Sequence, residues 1–252
     1  MPEYQFVEKP FLDQLIARGW QVINQGPGFP TDPTPSLRAS FREVVLADVF
    51  RRNVWAINVS DDDERWLTER QLEELLDHVT HPPGHSLIEA NEHVQQLLYR
   101  SQVDRNELTG EQYPNVQLID FHNPQRNHFL AINQFRIDTP GGVKSCIIPD
   151  IVLFVNGLPL VVVECKEASH VQANPMYEAF RQLMRYSEQR PATHESGLRE
   201  GEPRLFYTNQ FLLRTSGGQC EFGTITSTDE EYFYPWRDIY PEARIKGVRP
   251  LC

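Results

Sequence analysis

The stretch that decides the fold is Ile147–Lys166, IIPDIVLFVNGLPLVVVECK. Two apolar runs, IVLFV and LVVV, stand on either side of an Asn-Gly turn sequence. Unbroken runs of β-branched, aliphatic and aromatic residues are typical of strands that are buried on both faces. The stretch therefore predicts a hairpin in the middle of a sheet that is covered by helices.

Ionisable side chains interrupt this apolar hairpin at Asp150, Glu164 and Lys166. Such groups are costly to bury unless they are paired or hold a metal. Alternation along a strand puts Glu164 and Lys166 on the same face. Directly opposed residues of a hairpin point to the same face, so Asp150 shares the face of Glu164 only if the two residue numbers of each opposed pair have an even sum. A two-residue Asn-Gly loop would pair Val155 with Leu158, and the sum of these two numbers is odd. We therefore predict either a three-residue turn with a left-handed glycine or a β-bulge.

With that register, oxygen ligands converge at one end of the hairpin. Asp150, Glu164 and the backbone carbonyl of Cys165 offer the hard ligands that Mg²⁺ prefers, and Mn²⁺ is expected to substitute. Lys166 would be free to orient or help deprotonate a water, or to stabilise charge on a phosphate. These are the components that metal-dependent phosphodiester hydrolysis requires.

Further short motifs form an ordered series around the hairpin. Pro149-Asp150 and Glu164-Cys165-Lys166 match the PD-(D/E)xK nuclease pattern. The other motifs are Ile119-Asp120-Phe121, Asn123-Pro124, Asn127-His128-Phe129, Asn133-Gln134-Phe135, Val155-Asn156-Gly157-Leu158-Pro159-Leu160, and Gln182 four residues before Tyr186. Together, from about Glu8 to Trp236, they resemble the N-terminal nuclease domain of the endonuclease (R) subunit of type I restriction enzymes.

The resemblance implies an α/β fold with a central mixed β-sheet flanked by helices, a restriction-endonuclease-like core and a helical N-terminal region. Residues 1–110 are expected to be the helical N-terminal part of the nuclease domain and residues 111–240 the PD-(D/E)xK core. Residues 241–252 are expected to be a tail or the start of a linker to motor domains. The family's motors hydrolyse ATP, and this chain has no GxxxxGK[ST] loop, so we expect either a fragment that covers the nuclease domain or a protein truncated after it.

The resemblance also assigns roles to residues. Asp150 and Glu164 would be metal ligands, and Lys166 would position the nucleophile or stabilise charge. In the first helix, Glu8 matches an acidic residue that can approach the metal in the family. A solvated glutamate that is stabilised by the helix dipole is an equally good interpretation of Glu8.

Four polar residues of a later helix are candidates for support of the site or for DNA contact. Gln182 and Tyr186 share one helix face, so they could hold Lys166 or bind a nucleotide, although an ordinary amphipathic helix would also place them so. Arg181 and Arg185 flank that face and could contact backbone phosphates, or be solvated charges.

Composition limits how such a domain could work. Lysine plus arginine number 24 against 35 for aspartate plus glutamate, and the net charge of −11 argues against strong DNA binding by the chain alone. The resemblance implies double-stranded DNA as substrate, in a complex with methyltransferase and specificity subunits. Two alternatives stay open: a non-catalytic docking or DNA-positioning module that retains the nuclease fold, and a self-sufficient structure-specific nuclease.

The location and redox state are also predicted from composition. No stretch approaches the roughly 18 apolar residues of a membrane span, and no signal peptide precedes the first helix, so a cytoplasmic protein without membrane association is expected. The four cysteines have no metal-binding spacing and are predicted to be reduced thiols.

Periodicity and turn residues give the remaining elements. Helices are predicted over Phe6–Gly19 and Ser36–Asn53, from a capping box at Thr68, over Ser86–Ser101 and from the N-cap Asn174. Strands are predicted over Trp20–Ile23, Val116–Phe121, His128–Ile137, Leu205–Leu213 and Phe222–Ile225.

Overall fold

The structure, a computed structural model, describes residues 2–60, 62–168, 174–190 and 197–237. Within these ranges the α-helices are α1 Lys9–Ala17, α2 Ala47–Ile57, α3 Glu69–Thr80, α4 Leu87–Arg100 and α5 Pro175–Tyr186. The strands are β1 Gln21–Ile23, β2 Ser101–Gln102, β3 Asn115–Val116, β4 Phe129–Asn133, β5 Ile137–Asp138, β6 Cys146–Ile147, β7 Ile151–Val155, β8 Leu158–Cys165, β9 Phe211–Thr215, β10 Cys220–Gly223 and β11 Tyr234–Pro235.

Seven of these strands form the central sheet, in the order β1-β4-β7-β8-β9-β10-β11. The pairs β1–β4 and β8–β9 are parallel, and the other neighbours are antiparallel. The predicted α/β fold with a central mixed sheet and a helical N-terminal region is therefore confirmed, and it is compatible with a restriction-endonuclease-like core. The hairpin of β7 and β8 lies at the centre of the sheet, as predicted.

Helices cover both faces of this sheet. On one face, Phe11, Leu12 and Leu15 of α1 pack against alternate residues of the central strands. On the other face, the core includes residues of α2 to α5 and the intervening positions of the same strands, among them Val152 and Val162. Because both faces are covered, the central strands are apolar at nearly every position, which explains the unbroken apolar runs in the sequence.

A β-bulge sets the register of the central hairpin. Val155 pairs with Leu158 across a two-residue loop, but Leu153 pairs with Val161, so Leu160 is an extra residue in β8. The sum of the two residue numbers in a directly opposed pair is therefore odd next to the turn and even beyond the bulge. The predicted change of register is confirmed. Of its two possible causes, a three-residue turn or a β-bulge, the structure has the β-bulge.

The loop of the hairpin depends on both of its residues. Asn156 and Gly157 have φ values of 50° and 84°, so both are left-handed, as a tight hairpin loop requires. Asn156 is fully buried, and its amide donates to the carbonyl of Leu118 and to Oδ1 of Asn127. The carbonyl of Gly157 accepts a hydrogen bond from the backbone N–H of Leu46, which precedes α2. The loop thus ties the central hairpin to the helices on one face.

Replacement of Gly157 by alanine is expected to destabilise the protein by about 3 kcal/mol. A Cβ atom there would lie 2.7 Å from the carbonyl oxygen of Leu46 and from the backbone nitrogen of Phe50, and the left-handed conformation adds roughly 1 kcal/mol of strain. Urea unfolding of Gly157→Ala and of the control Gly217→Ala would test this. Gly217 has φ +67° and no heavy atom within 4 Å of the added Cβ, so only the strain should appear. Equal losses in the two variants would contradict the expected clash.

Helix starts agree with the capping residues in the sequence. Thr68 and Gln71 form a reciprocal capping box at α3, Ser86 caps α4, and Asn174 caps α5 with Pro175 in the first turn. The helix predicted over Ser36–Asn53 begins only at Ala47, however. A short 3₁₀ turn ends at Leu37, whose φ of 59° is incompatible with a continuing right-handed helix.

Two predicted strands are shorter than expected because side chains bind their backbone. After Val116, the amide of Asn58 pairs with both backbone groups of Gln117, which interrupts the strand predicted to reach Phe121. The strand predicted from Leu205 begins only at Phe211. A 3₁₀ turn, Pro203–Phe206, precedes it. Asn91 then donates to the carbonyls of Phe206, Tyr207 and Asn209.

The cysteines follow the prediction only in part. Cys146 and Cys165 are free thiols, as expected. Cys220, in contrast, is disulfide-bonded, so the prediction of reduced thiols is wrong at this position. Sequence spacing could not reveal the bridge, because pairing depends on how closely two cysteine Cα atoms approach in the fold.

In the described ranges, no helix has the length and apolar character needed to cross a lipid bilayer. The division at residue 110 stays a prediction. The proposed tail, residues 241–252, lies outside the described residues.

Candidate active site

Asp150 is fixed by backbone hydrogen bonds at the start of β7. Its carbonyl oxygen accepts a hydrogen bond from the backbone N–H of Gln134, and the carbonyl of the preceding Pro149 accepts one from Phe135. The carboxylate is buried, and its Oδ2 accepts the backbone N–H of Cys165 at 2.7 Å. Asp150 therefore bridges the ends of β7 and β8, where the predicted acidic and basic residues meet.

Glu164 and Lys166 complete this group at the end of β8. Glu164 is fully buried, and the Nζ of Lys166 donates to its Oε1 at 2.7 Å and to the Cys165 carbonyl at 2.9 Å. The same Nζ lies 3.7 Å from Oδ2 of Asp150. The fold thus brings together Asp150, Glu164, Lys166 and the Cys165 carbonyl, as the sequence predicted.

Glu8 reaches the same place from the N-terminal helix. It is buried, and its side chain, that of Glu3 and that of Asp150 each have a carboxylate oxygen within 4.8 Å of the others. Residues Tyr4–Glu8 form a π-helical turn, closed by the bond from the N–H of Lys9 to the carbonyl of Tyr4. In such a turn, residues five apart lie closer together around the helix axis than in an α-helix, where about 140° separates them. The π-turn therefore brings Glu3 to the side of Glu8.

The carboxyl groups here resist ionisation. Burial raises the pKa of Glu8 from 4.5 to about 7, with a further contribution from the charge of Asp150. Burial also raises the pKa of Asp150 from 3.8 to about 6, although Lys166 partly opposes this. The pKa of Glu164 lies well above its usual value because the group is buried and faces Asp150. Burial lowers the pKa of Lys166, but the charges of Glu164 and Asp150 outweigh this and raise it.

The site fits a hard divalent cation. Carboxylate oxygens of Glu3, Glu8 and Asp150 lie close enough together to share a cation, and Glu164 and the Cys165 carbonyl meet Asp150 around the Lys166 ammonium. Such oxygen donors are the ligands that Mg²⁺ and Mn²⁺ prefer. The second carboxylate oxygen of Glu164, Oε2, is buried and has no hydrogen-bond partner within the described part of the chain. A buried oxygen of this kind is costly unless a ligand satisfies it. A cation at this place would also offset the mutual repulsion of the carboxylates.

Gln182 and Tyr186 support the site through the backbone, and neither is among the hydrogen-bond partners of Lys166 in the described part of the chain. Gln182 donates to the hydroxyl of Tyr186 at 2.6 Å, and that hydroxyl donates to the carbonyl of Ile148 at 3.0 Å. Ile148 lies two residues before Asp150, so the pair fixes the segment that leads into it. The pKa of Tyr186 is raised by its burial and by the nearby charges of Glu164 and Asp150.

The two arginines of α5 lie farther out. Arg181 is exposed and 3.4 Å from Glu178, and the guanidinium of Arg185 lies 5.1 Å from the centre of the Tyr186 ring. Their contact with DNA stays a prediction.

Two residues at the site were not recognised as functional from the sequence. Glu3 escaped because an α-helical period does not place it beside Glu8. Gln134 donates through its Nε2 to Oε2 of Glu8 at 3.0 Å. It belongs to the Asn133-Gln134-Phe135 motif, which contributed to the family resemblance but gave no indication that Gln134 contacts Glu8.

Comparisons with known proteins find a matching family and similar proteins. Residues 1–231 match the family described as type I restriction enzyme R protein N terminus. The chain is 29% identical over 234 residues to the type I restriction enzyme HindI endonuclease subunit of Haemophilus influenzae, covering 92% of this chain and 20% of that protein. It is 25% identical over 243 residues to a protein of Methanocaldococcus jannaschii that is provisionally named type I restriction enzyme MjaIXP endonuclease subunit, covering 96% and 21%. The chain thus spans about one fifth of the length of these relatives.

Proposed function

Because this chain belongs to the family of type I restriction enzyme R protein N termini, we propose that it is the nuclease part of an endonuclease subunit. Its reaction would be Mg²⁺-dependent hydrolysis of phosphodiester bonds in double-stranded DNA. The observation that carries this proposal is the buried group of Asp150, Glu164 and Lys166 at adjacent strand ends, in which one oxygen of Glu164 has no partner among the described residues.

Each residue has a distinct role in this proposal. Asp150, Glu164 and the Cys165 carbonyl hold the cation, and Glu8 adds a further carboxylate beside Asp150. The cation would supply positive charge to the phosphate and acidity to a bound water. Lys166 positions the attacking water or stabilises the charge that develops on the phosphate. In the metal-free protein the charges of Glu164 and Asp150 raise the pKa of Lys166, so its side chain is a cation beside the site.

The helix α5 serves as a support and a DNA-facing surface. Gln182 and Tyr186 hold Ile148, and through it they fix the position of Asp150. Arg181 and Arg185 contact phosphates of the DNA backbone outside the cleavage site.

The protein acts in the cytoplasm within a restriction complex that includes methyltransferase and specificity subunits. The net charge of −11 supports this dependence, since a chain so acidic gains little affinity for DNA by phosphate neutralisation. Residues 1–110 and 111–240 act together as one nuclease unit. ATP would be used only by motor domains beyond this chain.

Calorimetric titration of Mn²⁺ into the chain tests the metal site. We expect binding to the wild type and none to Asp150→Ala or Glu164→Ala, because each substitution removes a ligand. Asp13→Ala is a matched control, since its carboxylate is exposed and pairs with Lys9 on the surface. Circular dichroism should show that all variants fold.

Failure of the wild type to bind Mn²⁺, both alone and with a DNA duplex present, would contradict the proposal. In that case a docking or DNA-positioning module with the nuclease fold would be the better interpretation. Mn²⁺ binding followed by cleavage without any partner subunit would instead indicate a self-sufficient nuclease.

A further inference from the structure

Gln134 has a backbone conformation that its residue type disfavours. Its φ is 50°, in the left-handed region that glycine and asparagine adopt at least cost. The strand changes direction here. Ile132 faces the α5 side of the sheet, and strict alternation would turn Phe135 to the α1 side, yet Phe135 lies in the core on the α5 side. A glycine or an asparagine would allow this bend with less strain, so the bend alone does not explain a glutamine.

The backbone of Gln134 is bound to two other segments. Its N–H donates to the carbonyl of Asp150 at 2.8 Å, which places it directly beside this residue. Its own carbonyl accepts a hydrogen bond from Nε2 of Gln25, which also donates to the carbonyl of Asn133. Asn133 in turn is fully buried and accepts the backbone N–H of Gln25 at its Oδ1. The peptide from which the Gln134 side chain projects is therefore fixed on both sides.

From this fixed position the side chain contacts the carboxylate cluster. The amide Nε2 of Gln134 donates to Oε2 of Glu8 at 3.0 Å. Glu8 is carried by a different segment, the N-terminal π-turn, and its carboxylate oxygens lie near those of Glu3 and Asp150. One residue thus binds the backbone of Asp150 through its N–H and the side chain of Glu8 through its amide.

We propose that Gln134 is a positioning residue for the metal site: it sets the distance between the carboxylates of Glu8 and Asp150 by binding both residues at once. Its left-handed backbone is the cost of this arrangement, because neither glycine nor asparagine could extend an amide to Glu8 from the same place. This inference rests on the proposed function, in which these carboxylates hold a divalent cation.

The test separates metal affinity from stability with two variants. Gln134→Met keeps the length of the side chain but removes the donor. Gln134→Asn keeps an amide and suits the left-handed backbone, but it is one methylene too short to reach Glu8. We expect both variants to bind Mn²⁺ about 10-fold more weakly in calorimetry, the lower end of the effect found when a residue that orients a ligand is removed. Thermal unfolding of Gln134→Asn should occur at or above the wild-type temperature.

The control is Tyr113→Asn. Tyr113 also has a left-handed backbone, with φ 55°, but it is exposed, and its backbone N–H donates to the carbonyl of Asp104 rather than to a residue of the site. This variant should gain stability without any change in Mn²⁺ affinity. A purely structural role of Gln134 would instead lower stability and affinity together, or leave both unchanged.

A second measurement does not depend on the metal. In metal-free protein, ¹³C NMR titration of the Glu8 carboxyl should give a higher pKa in Gln134→Met than in the wild type, because the donated hydrogen bond favours the carboxylate form. Wild-type Mn²⁺ binding that both variants retain unchanged would overturn the inference and leave the proposed function intact. No Mn²⁺ binding by the wild type would count against the proposed function, and an unchanged Glu8 titration would then overturn the positioning role as well.

Discussion

Glu164→Gln is expected to reduce DNA cleavage by about 10³-fold in the assembled enzyme while the domain stays folded. The glutamine has the same shape and can still accept the hydrogen bond that Lys166 donates to Oε1. Its amide nitrogen cannot ligate a cation, however, and it would occupy the place of Oε2, the buried oxygen without a partner among the described residues. Charge stabilisation by a metal ion is worth several kcal/mol, and each 1.36 kcal/mol is a factor of about 10 in rate.

The matched control is Glu73→Gln, which removes a carboxylate that pairs with Arg51 on the surface. It should cleave at the wild-type rate. Cleavage would be measured on a DNA substrate with the partner subunits present, and folding by circular dichroism and thermal unfolding. Wild-type cleavage by Glu164→Gln would exclude Glu164 from the reaction.

Lys166→Met is expected to have the largest effect on stability at the site. Methionine replaces the stem of the lysine but leaves Asp150 and Glu164 without their cation. Breaking a buried ion pair from one side costs about 3–5 kcal/mol. Mn²⁺ binding should persist in the variant, because the lysine is not a ligand and its ammonium competes for Oε1 of Glu164. Cleavage should nevertheless be lost.

The stability loss in Lys166→Met should depend on pH. The pKa values of Asp150 and Glu164 are already raised in the folded protein, and removal of the ammonium raises them further. Carboxyl groups with raised pKa values bind more protons in the folded state than in the unfolded state, so stability falls as pH rises. The loss should therefore be smaller at pH 5 than at pH 8, as measured by urea unfolding in metal-free buffer.

Lys9→Met provides the control for this variant, since Lys9 pairs with Asp13 at an exposed position and should show no such pH dependence. Equal stability losses at both pH values, or loss of Mn²⁺ binding, would mean that Lys166 maintains the shape of the hairpin rather than its charge balance.

The central hairpin and its ionisable residues could be predicted because several sequence signals agree there. The apolar runs indicated strands covered on both faces. The pairing set by a two-residue turn would have put Asp150 and Glu164 on opposite faces, so their meeting required one irregularity in the hairpin. The structure has that irregularity at Leu160, where the carbonyl accepts the backbone N–H of Gln210. No local signal in the sequence identifies Leu160, because the contact that stabilises the bulge comes from a segment about 50 residues later.

The rest of the site depends on contacts between distant segments. Glu3 joins the carboxylates only because the first turn is a π-turn, which the apolar period of α1 does not indicate. Gln134 interrupts a predicted strand because its side chain and backbone bind Glu8, Gln25 and Asp150. Asn58 and Asn91 shorten other predicted strands in the same way, Asn58 at the end of one and Asn91 at the start of another, by binding backbone groups far along the chain. The periodicity of apolar residues reflects burial along one segment, so it gives no sign of hydrogen bonds to distant segments.

The bulge at Leu160 determines which face of the sheet Glu164 and Lys166 occupy. Deletion of Leu160, the extra residue, would give a regular hairpin with every backbone pair in place, and Glu164 would stay opposite Asp150. Deletion of a paired residue such as Val162, with the bulge kept, would instead turn Glu164 and Lys166 to the α1 face and bring Cys165 to their position. A change of one residue in length between the turn and Glu164 should therefore be compatible with function only if a bulge is gained or lost with it. A hairpin grafted from a relative would need its bulge transferred together with its catalytic residues.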